Sequence, residues 1–347
     1  MAFDNIEKII KDKDINPDHR IESKEKAKSK EKILKKKLLI LLIATLIASA
    51  GSMLIGVDYD FLWPVMGLRA PKLIGILMAS FCIGAASMAF QAIVNNSIVT
   101  PGILGMNSMY SLTQTLVVFF LGTSSIFFIN RNLSFILCLV IMVVLSVFIY
   151  TWLFKKTKYN VMYVLLAGTV LSTLFSSLQS SMVRIMDPTA YDTLLAKLVA
   201  SFESVNSDII LISLAIIGFI MFVFRKEIKL LDIISLGKNN AINLGVNYDN
   251  TVRKLLIGVA AFIAVATAMV GPLSFLGIIV VNLSRELLKT YKHKYLIPAS
   301  VMIGMIFLLI SQIIVQHIFV YSVPISVFVN IGGGIYFMYL LFRGKRT

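Results

Sequence analysis

Charged side chains are scarce in this chain: Asp, Glu, Lys and Arg make up 15% of its 347 residues, against about a quarter in an ordinary soluble domain. That scarcity excludes a fold that must present polar surface to water on every side. Only two cysteines occur, Cys82 and Cys138, in separate apolar stretches with no redox or metal spacing. The three histidines, His19, His293 and His317, are scattered, with no ligand partners nearby in sequence. No metal site and no cofactor are expected. The chain also lacks a Gly-x-x-x-x-Gly-Lys-Ser/Thr phosphate loop, so it does not bind ATP by that route.

What the chain has in excess is apolar. Hydrophobic residues make up 58% of it and the mean hydropathy is +0.86. They come in long blocks instead of amphipathic stripes, and a hydrocarbon core of about 30 Å takes about 20 apolar residues per helix. Ten blocks are read as membrane helices: 38–57, 71–93, 101–121, 133–154, 160–183, 208–224, 252–270, 273–289, 295–317 and 324–342. The fold class expected is an all-α integral membrane protein with ten transmembrane helices, spanning 38–347.

Residues 1–37 stand apart as a charged segment ending in Lys35-Lys36-Lys37. It is expected to be disordered or loosely helical at the membrane surface. Ala48-Ser49-Ala50 loosely resembles a signal cleavage site, but the charged preamble is too long and the apolar run continues to Val57. The block is read as an uncleaved first helix.

The net charge of +15 does not mark a nucleic-acid binder, because no continuous basic face with aromatic stacking groups is visible. Twelve of the 33 Lys and Arg residues precede residue 38, and most others fall in short loops on one side. With the amino terminus inside, the inner loops carry Lys155, Lys156, Lys158, Arg225, Lys226, Lys229, Arg253 and Lys254. They also carry Arg285, Lys289, Lys292 and Lys294, followed by Arg343, Lys345 and Arg346 in the tail. The outer loops hold Arg69, Lys72, Arg131, Arg184 and Lys197, offset by Asp58, Asp60, Asp187, Asp192, Glu203 and Asp208. This is the positive-inside pattern. Ten spans then place both termini in the cytoplasm. The polar stretch 184–207 is too polar to span; Asp187-Pro188 opens a short helix through Leu194, Leu195, Leu198 and Val199, expected to rest at the outer membrane surface or to dip into the mouth of a pathway.

Inside the blocks, no Asp, Glu, Lys or Arg lies near mid-span. Ion-coupled transporters and proton pumps keep such groups for work, and an intramembrane enzyme needs a nucleophile, base or metal set. Neither is assembled, so no enzyme activity is expected. The mid-span polar residues are neutral: Gln114, Gln179, Asn282, Gln312 and Asn330. Two readings stand for each, a wall of a polar pathway or an interhelical hydrogen bond. Transport by such a chain would draw its energy from outside, through an inner loop pushed by a partner. The best loop for this is Leu236-Gly237-Lys238-Asn239-Asn240-Ala241-Ile242-Asn243-Leu244-Gly245-Val246, read as a short helix stopped by Gly245 in a left-handed cap.

That loop resembles the Leu-Gly-x-x-x-Ala-x-x-Leu-Gly-Val coupling segment of the iron-siderophore, haem and vitamin B12 permease family of ABC importers. Leu68-Arg69-Ala70-Pro71-Lys72 is similar to the family's Arg-x-Pro-Arg at the start of its second helix. Residues 91–105, QAIVNNSIVTPGILG, are similar to Gln-x-x-x-x-Asn-Pro-Leu-Ala-x-Pro-Gly-x-Leu-Gly. Gly271-Pro272-Leu273-Ser274-Phe275-Leu276-Gly277 follows, then Pro324, Gly332-Gly333 and Tyr339-Leu340-Leu341. The matches run in family order over about residues 40–342.

The resemblance implies a ten-helix, BtuC-like permease fold in the cell membrane of a bacterium. It also implies a second permease subunit (homodimer or heterodimer), two ATP-binding-cassette ATPase subunits inside and an extracytoplasmic siderophore-binding protein outside. By position it makes Leu236, Gly237, Ala241, Leu244, Gly245 and Val246 the ATPase-coupling loop. It makes Arg69 and Lys72 the basic pair that meets acids of the binding protein, though both also read as interfacial anchors. Asn96 and Ile98 match a cytoplasmic gate, while the chemistry of Asn95-Asn96-Ser97 alone reads as a turn.

Departures narrow the substrate. Val281-Asn282 stands where much of the family has Pro-His, Ser97 where it usually has proline, and Asn330 precedes the glycines. These resemble the branch for catecholate-type iron-siderophores and count against haem and vitamin B12. The alternative from another class is a secondary transporter or channel for a polar solute, needing no ATPase.

Overall fold

The computed structural model describes residues 17–57, 62–157, 161–203 and 205–343. Of the charges placed above, Asp58, Asp60, Lys158, Lys345 and Arg346 lie outside the described residues, as does the segment 1–16. Among the described residues all regular structure is helical. In chain order the α-helices are α1 Pro17–Leu54, α2 Leu62–Val94, α3 Met106–Leu121, α4 Ile126–Ile129, α5 Arg131–Lys156, α6 Val161–Arg184 and α7 Pro188–Leu198. They continue as α8 Ser207–Lys229, α9 Leu231–Ile234, α10 Lys238–Asn243, α11 Tyr248–Val270, α12 Leu276–Leu288, α13 His293–His317 and α14 Ile325–Arg343. A 3-10 turn, Pro101–Leu104, lies between α2 and α3.

Ten of these, α1, α2, α3, α5, α6, α8, α11, α12, α13 and α14, fall on the ten apolar blocks. Seven are long and apolar enough to cross a bilayer unaided: α1, α2, α5, α6, α8, α11 and α13. The other three are shorter because irregular backbone precedes each: 101–105, 271–275 and 318–324. Non-helical backbone at membrane depth is tolerated only where protein surrounds it, and neighbours close in tightly around 271–275, whereas 318–322 is exposed. A β-carbon on Gly333 of α14 would lie 2.2 Å from Phe275 Cβ, so only glycine allows the helix this near the 271–275 segment.

Three boundaries differ from those read in the sequence. The charged segment is helical from Pro17 and runs without a break into the first span. The second helix starts at Leu62, not at Pro71, so the proline sits inside it. Its ring bears on the carbonyl four residues back, at Gly67, where no other atom comes within 4 Å of a would-be β-carbon. Thr100-Pro101 opens the 3-10 turn, not the third α-helix; the Thr100 side chain makes no cap bond and α3 begins at Met106.

The core is built around α2, α11 and α13. Ile76, Met88, Phe90, Leu256 and Leu308 are fully enclosed, and Ala260, Ala264 and Ala266 let α11 approach its neighbours closely. Without a hydrophobic drive between helices in lipid, small residues and packing hold such contacts. The outward faces of α1 (Leu39, Ile43, Leu46, Ile47) and α8 (Leu211, Leu214, Phe219, Phe222) are apolar and exposed, as lipid contact requires. Between α1, α2, α8, α11 and α13 lies a cavity of about 400 Å³, lined by Leu42, Phe81, Met221, Phe224, Leu231 and Met302.

The short helix expected in 184–207 is α7. Asp187 caps it, accepting from the Thr189 hydroxyl and from Thr189 N at 2.8 Å, and the hydroxyl bond, then the backbone bonds, hold the carboxyl below the usual aspartate range. Leu194 is fully buried in a small cluster with Val117, Val118 and Phe128. Lys197 pins the far end. Its ammonium donates to Phe128 O and to Ser134 Oγ at 3.2 Å, and Tyr110 Oη donates to Lys197 O at 2.9 Å. Burial, with Arg131 nearby, pushes the Lys197 ammonium below the usual lysine range.

Candidate functional site

The polar features gather at the two ends of the bundle. At the end where α1 carries Lys35–Lys37, several bonds tie the connecting segments together. Lys37 Nζ donates to Leu287 O at 2.6 Å, at the close of α12. Tyr295 Oη donates to Glu31 at 2.8 Å, joining α13 to the charged stretch of α1.

The loop 236–246 belongs to this end. α10, Lys238–Asn243, is short, and Ala241 is the residue it buries completely. Val246 N donates to Ala241 O at 3.0 Å and Gly245 N to Ile242 O at 2.9 Å. This pair of bonds is a Schellman closure, and it puts Gly245 at φ +80, in the left-handed region that glycine occupies without penalty. Lys238 pairs with Asp249 at 2.8 Å, tying the start of α10 to the start of α11. Leu236, Ile242 and Leu244 stand exposed, 53%, 51% and 60%. An apolar surface held on a braced short helix is what a partner protein can push as one body.

Two residues to which the sequence alone assigns no role secure this loop to the bundle. Asp232, in the short α9 just ahead of it, accepts from His293 N at 2.8 Å, and His293 Nδ1 lies 2.6 Å from the same oxygen. The carboxylate thereby supplies the cap that α13 does not get from its own Lys292. His293 is therefore not isolated; it is a buried anchor. The signal in the sequence is a single acid set in Leu230-Leu231-Asp232-Ile233-Ile234, otherwise wholly apolar.

The segment joining α2 to the 3-10 turn contains Asn96 and Ile98. Asn96 Oδ1 accepts from Ile98 N at 2.9 Å, a side-chain turn, and Asn95 takes φ +52. Both Asn96 and Ile98 are exposed. Ser97 O accepts from Gln91 Nε2 at 2.9 Å and from Asn282 Nδ2 at 2.8 Å. Asn282 Nδ2 also donates to Ile278 O at 3.0 Å. Of the other mid-span polar residues, Gln114 and Gln312 are buried, Gln179 is half-buried and Asn330 is exposed.

At the opposite end, Arg69 and Lys72 lie within α2 and are both engaged. Arg69 Nη1 donates to Ser52 O, Met53 O and Ile55 O at 3.2, 3.0 and 2.8 Å. These are carbonyls left open where α1 ends. Lys72 Nζ lies 2.5 Å from Glu203 Oε2 and 5.2 Å from the centre of the Tyr321 ring.

A multi-pass all-α bundle with a braced short helix at one end and a basic pair at the other is a transport permease. The chain belongs to the FecCD transport family, which matches residues 37–343. It is 42% identical over 293 residues to the petrobactin import system permease protein YclO of Bacillus subtilis (strain 168), covering 84% of this chain and 91% of that one. It is 30% identical over 352 residues to the petrobactin import system permease protein FatC of Bacillus anthracis, covering 99% of each. Among solved structures, a transporter assigned to the metal-chelate type of ABC transporters, in an inward-facing conformation, matches with a TM-score of 0.75. It is 22% identical and covers 89% of this chain and 99% of that chain.

Proposed function

We propose that this chain is the membrane-spanning subunit of an ATP-binding-cassette importer that carries iron-siderophore complexes into the cytoplasm. Both termini and the lysine-rich end face the cytoplasm, in the cell membrane of a bacterium, in keeping with the loop charges. The single observation that carries the reading is the braced α10, with Leu236, Ile242 and Leu244 offered outward from a helix that Ala241 and Gly245 fix in place. A partner ATPase docks there and supplies the hydrolysis that this chain has no phosphate loop to perform. At the other end a siderophore-binding protein meets Arg69 and Lys72. A second permease subunit, identical or related, completes the pathway. The substrate is of the catecholate type, in keeping with petrobactin import relatives.

The test is reconstitution in lipid vesicles with the ATPase and binding protein. Uptake of ferric petrobactin that needs both partners and ATP is expected, and ferric hydroxamates should compete poorly. Uptake that follows an ion gradient in vesicles lacking the ATPase would overturn the reading in favour of a secondary transporter.

A further inference from the structure

Ser97 O, in the α2–α3 segment, is gripped by two buried amides at once. Gln91 is 1% exposed and Asn282 8% exposed, while Ser97 itself is open. Gln91 comes from the last turns of α2, and Asn282 from α12, which is remote in sequence. A carbonyl oxygen has two lone pairs, and here both find donors, at 2.9 and 2.8 Å. Both hydrogens of the Asn282 amide are used, since its second bond goes to Ile278 O. Gln91 Oε1 is buried with no partner among the described residues. The Gln91 amide thus gains only through its donor side, so its position depends on the Ser97 bond.

We infer that Gln91 and Asn282 form a clasp on Ser97 O that holds the segment bearing Asn96 and Ile98 closed, and that α12 releases it during transport. The inference rests on reading Asn96 and Ile98 as the gate. Helix α12 is well placed to act as the release. Its Leu287 O is bonded by Lys37, and the chain leaves it for His293, which Asp232 ties to the segment before the coupling loop. Force arriving at that loop thus reaches α12 through a few short connections. The Asn282 and Gln91 amides act as positioning residues; neither needs to touch the cargo.

The experiment uses the complete importer, permease with its ATPase and binding protein, in lipid nanodiscs. The Ile98→Cys variant serves as the parent and is labelled with a hydrophilic maleimide, with and without trapped nucleotide. Native Cys82 and Cys138 are buried and add little background. In the nucleotide state where the introduced thiol is protected, adding Asn282→Leu should raise its labelling rate about fivefold, the factor set by one ordinary hydrogen bond. The difference between nucleotide states should shrink accordingly. Asn282→His, which keeps an N–H donor, should restore part of the protection. If Asn282→Leu does not assemble, Asn282→Ala removes the same donor with less bulk. Labelling that ignores nucleotide in the parent overturns the gate reading and the clasp with it. Nucleotide-sensitive labelling left unchanged by loss of the Asn282 donor overturns the clasp alone.

Discussion

Glu203 holds Lys72 at 2.5 Å, so the lysine that the family pattern offers to an outside partner already has a carboxylate from its own chain. An acid on a docking protein would therefore have to displace Glu203, or share the lysine with it. The pair is partly open to solvent, with side-chain exposures of 23% and 47%, and such pairs contribute about 0.2–1 kcal/mol. Glu203→Gln should strengthen binding-protein docking by about twofold to fivefold, most clearly at low ionic strength, while Lys72→Gln should weaken it. Titration of the binding protein against permease in nanodiscs checks both. Unchanged affinity in Lys72→Gln would leave the lysine as an internal anchor.

Gly245 carries the sharpest test of the proposed coupling loop. No atom lies within 4 Å of the β-carbon an alanine would add, so Gly245→Ala costs only the left-handed backbone, about 1–2 kcal/mol. Asparagine tolerates that conformation better. Transport should fall strongly in Gly245→Ala and less in Gly245→Asn, with the permease itself remaining folded. Uptake measured beside the thermal unfolding midpoint separates the two effects.

The Asp232–His293 contact should behave differently. Asp232→Asn keeps the size but weakens a charge-assisted cap, while Asp232→Ala leaves buried His293 donors unpaired, at a cost of about 1–3 kcal/mol. The expected result is a lower unfolding midpoint in the order native, Asn, Ala, accompanied by slower ATP-driven uptake. Equal midpoints for all three would mean that the contact is incidental.

Gly333 makes a purely steric prediction. Alanine there puts its β-carbon 2.2 Å from Phe275 Cβ, and overpacking of this kind costs about 1–3 kcal/mol. Gly333→Ala should reduce the yield of folded permease, and Phe275→Gly in the same chain should return part of it. Yield and monodispersity on size-exclusion chromatography are sufficient readouts.

The ten helices are legible because bilayer thickness writes itself into block length, and the difference between the two ends shows in where lysines collect. The stop after α10 is legible because a left-handed turn demands glycine, and Gly245 supplies one. What stays hidden in the sequence are contacts across it. Nothing local says that Arg69 reaches three carbonyls at the end of α1, or that Asp232 caps a helix sixty-one residues later. The start of α2 is misread because Pro71 looks like a boundary, whereas here the helix runs through it from Leu62. Asn282 is visible as a mid-span amide, but its partner Ser97 comes from a different segment and only the fold joins them.

The cavity of about 400 Å³ beside α8 has a mechanical meaning. Close-packed interiors hand strain on without yielding, so an engine that has to change shape needs slack somewhere along its stroke. Here the slack sits beside Phe224, Ile228 and Leu231, where α8 runs into the segment a motor would strike. If the proposed coupling holds, a thrust from below would meet its least resistance where α8 borders this space.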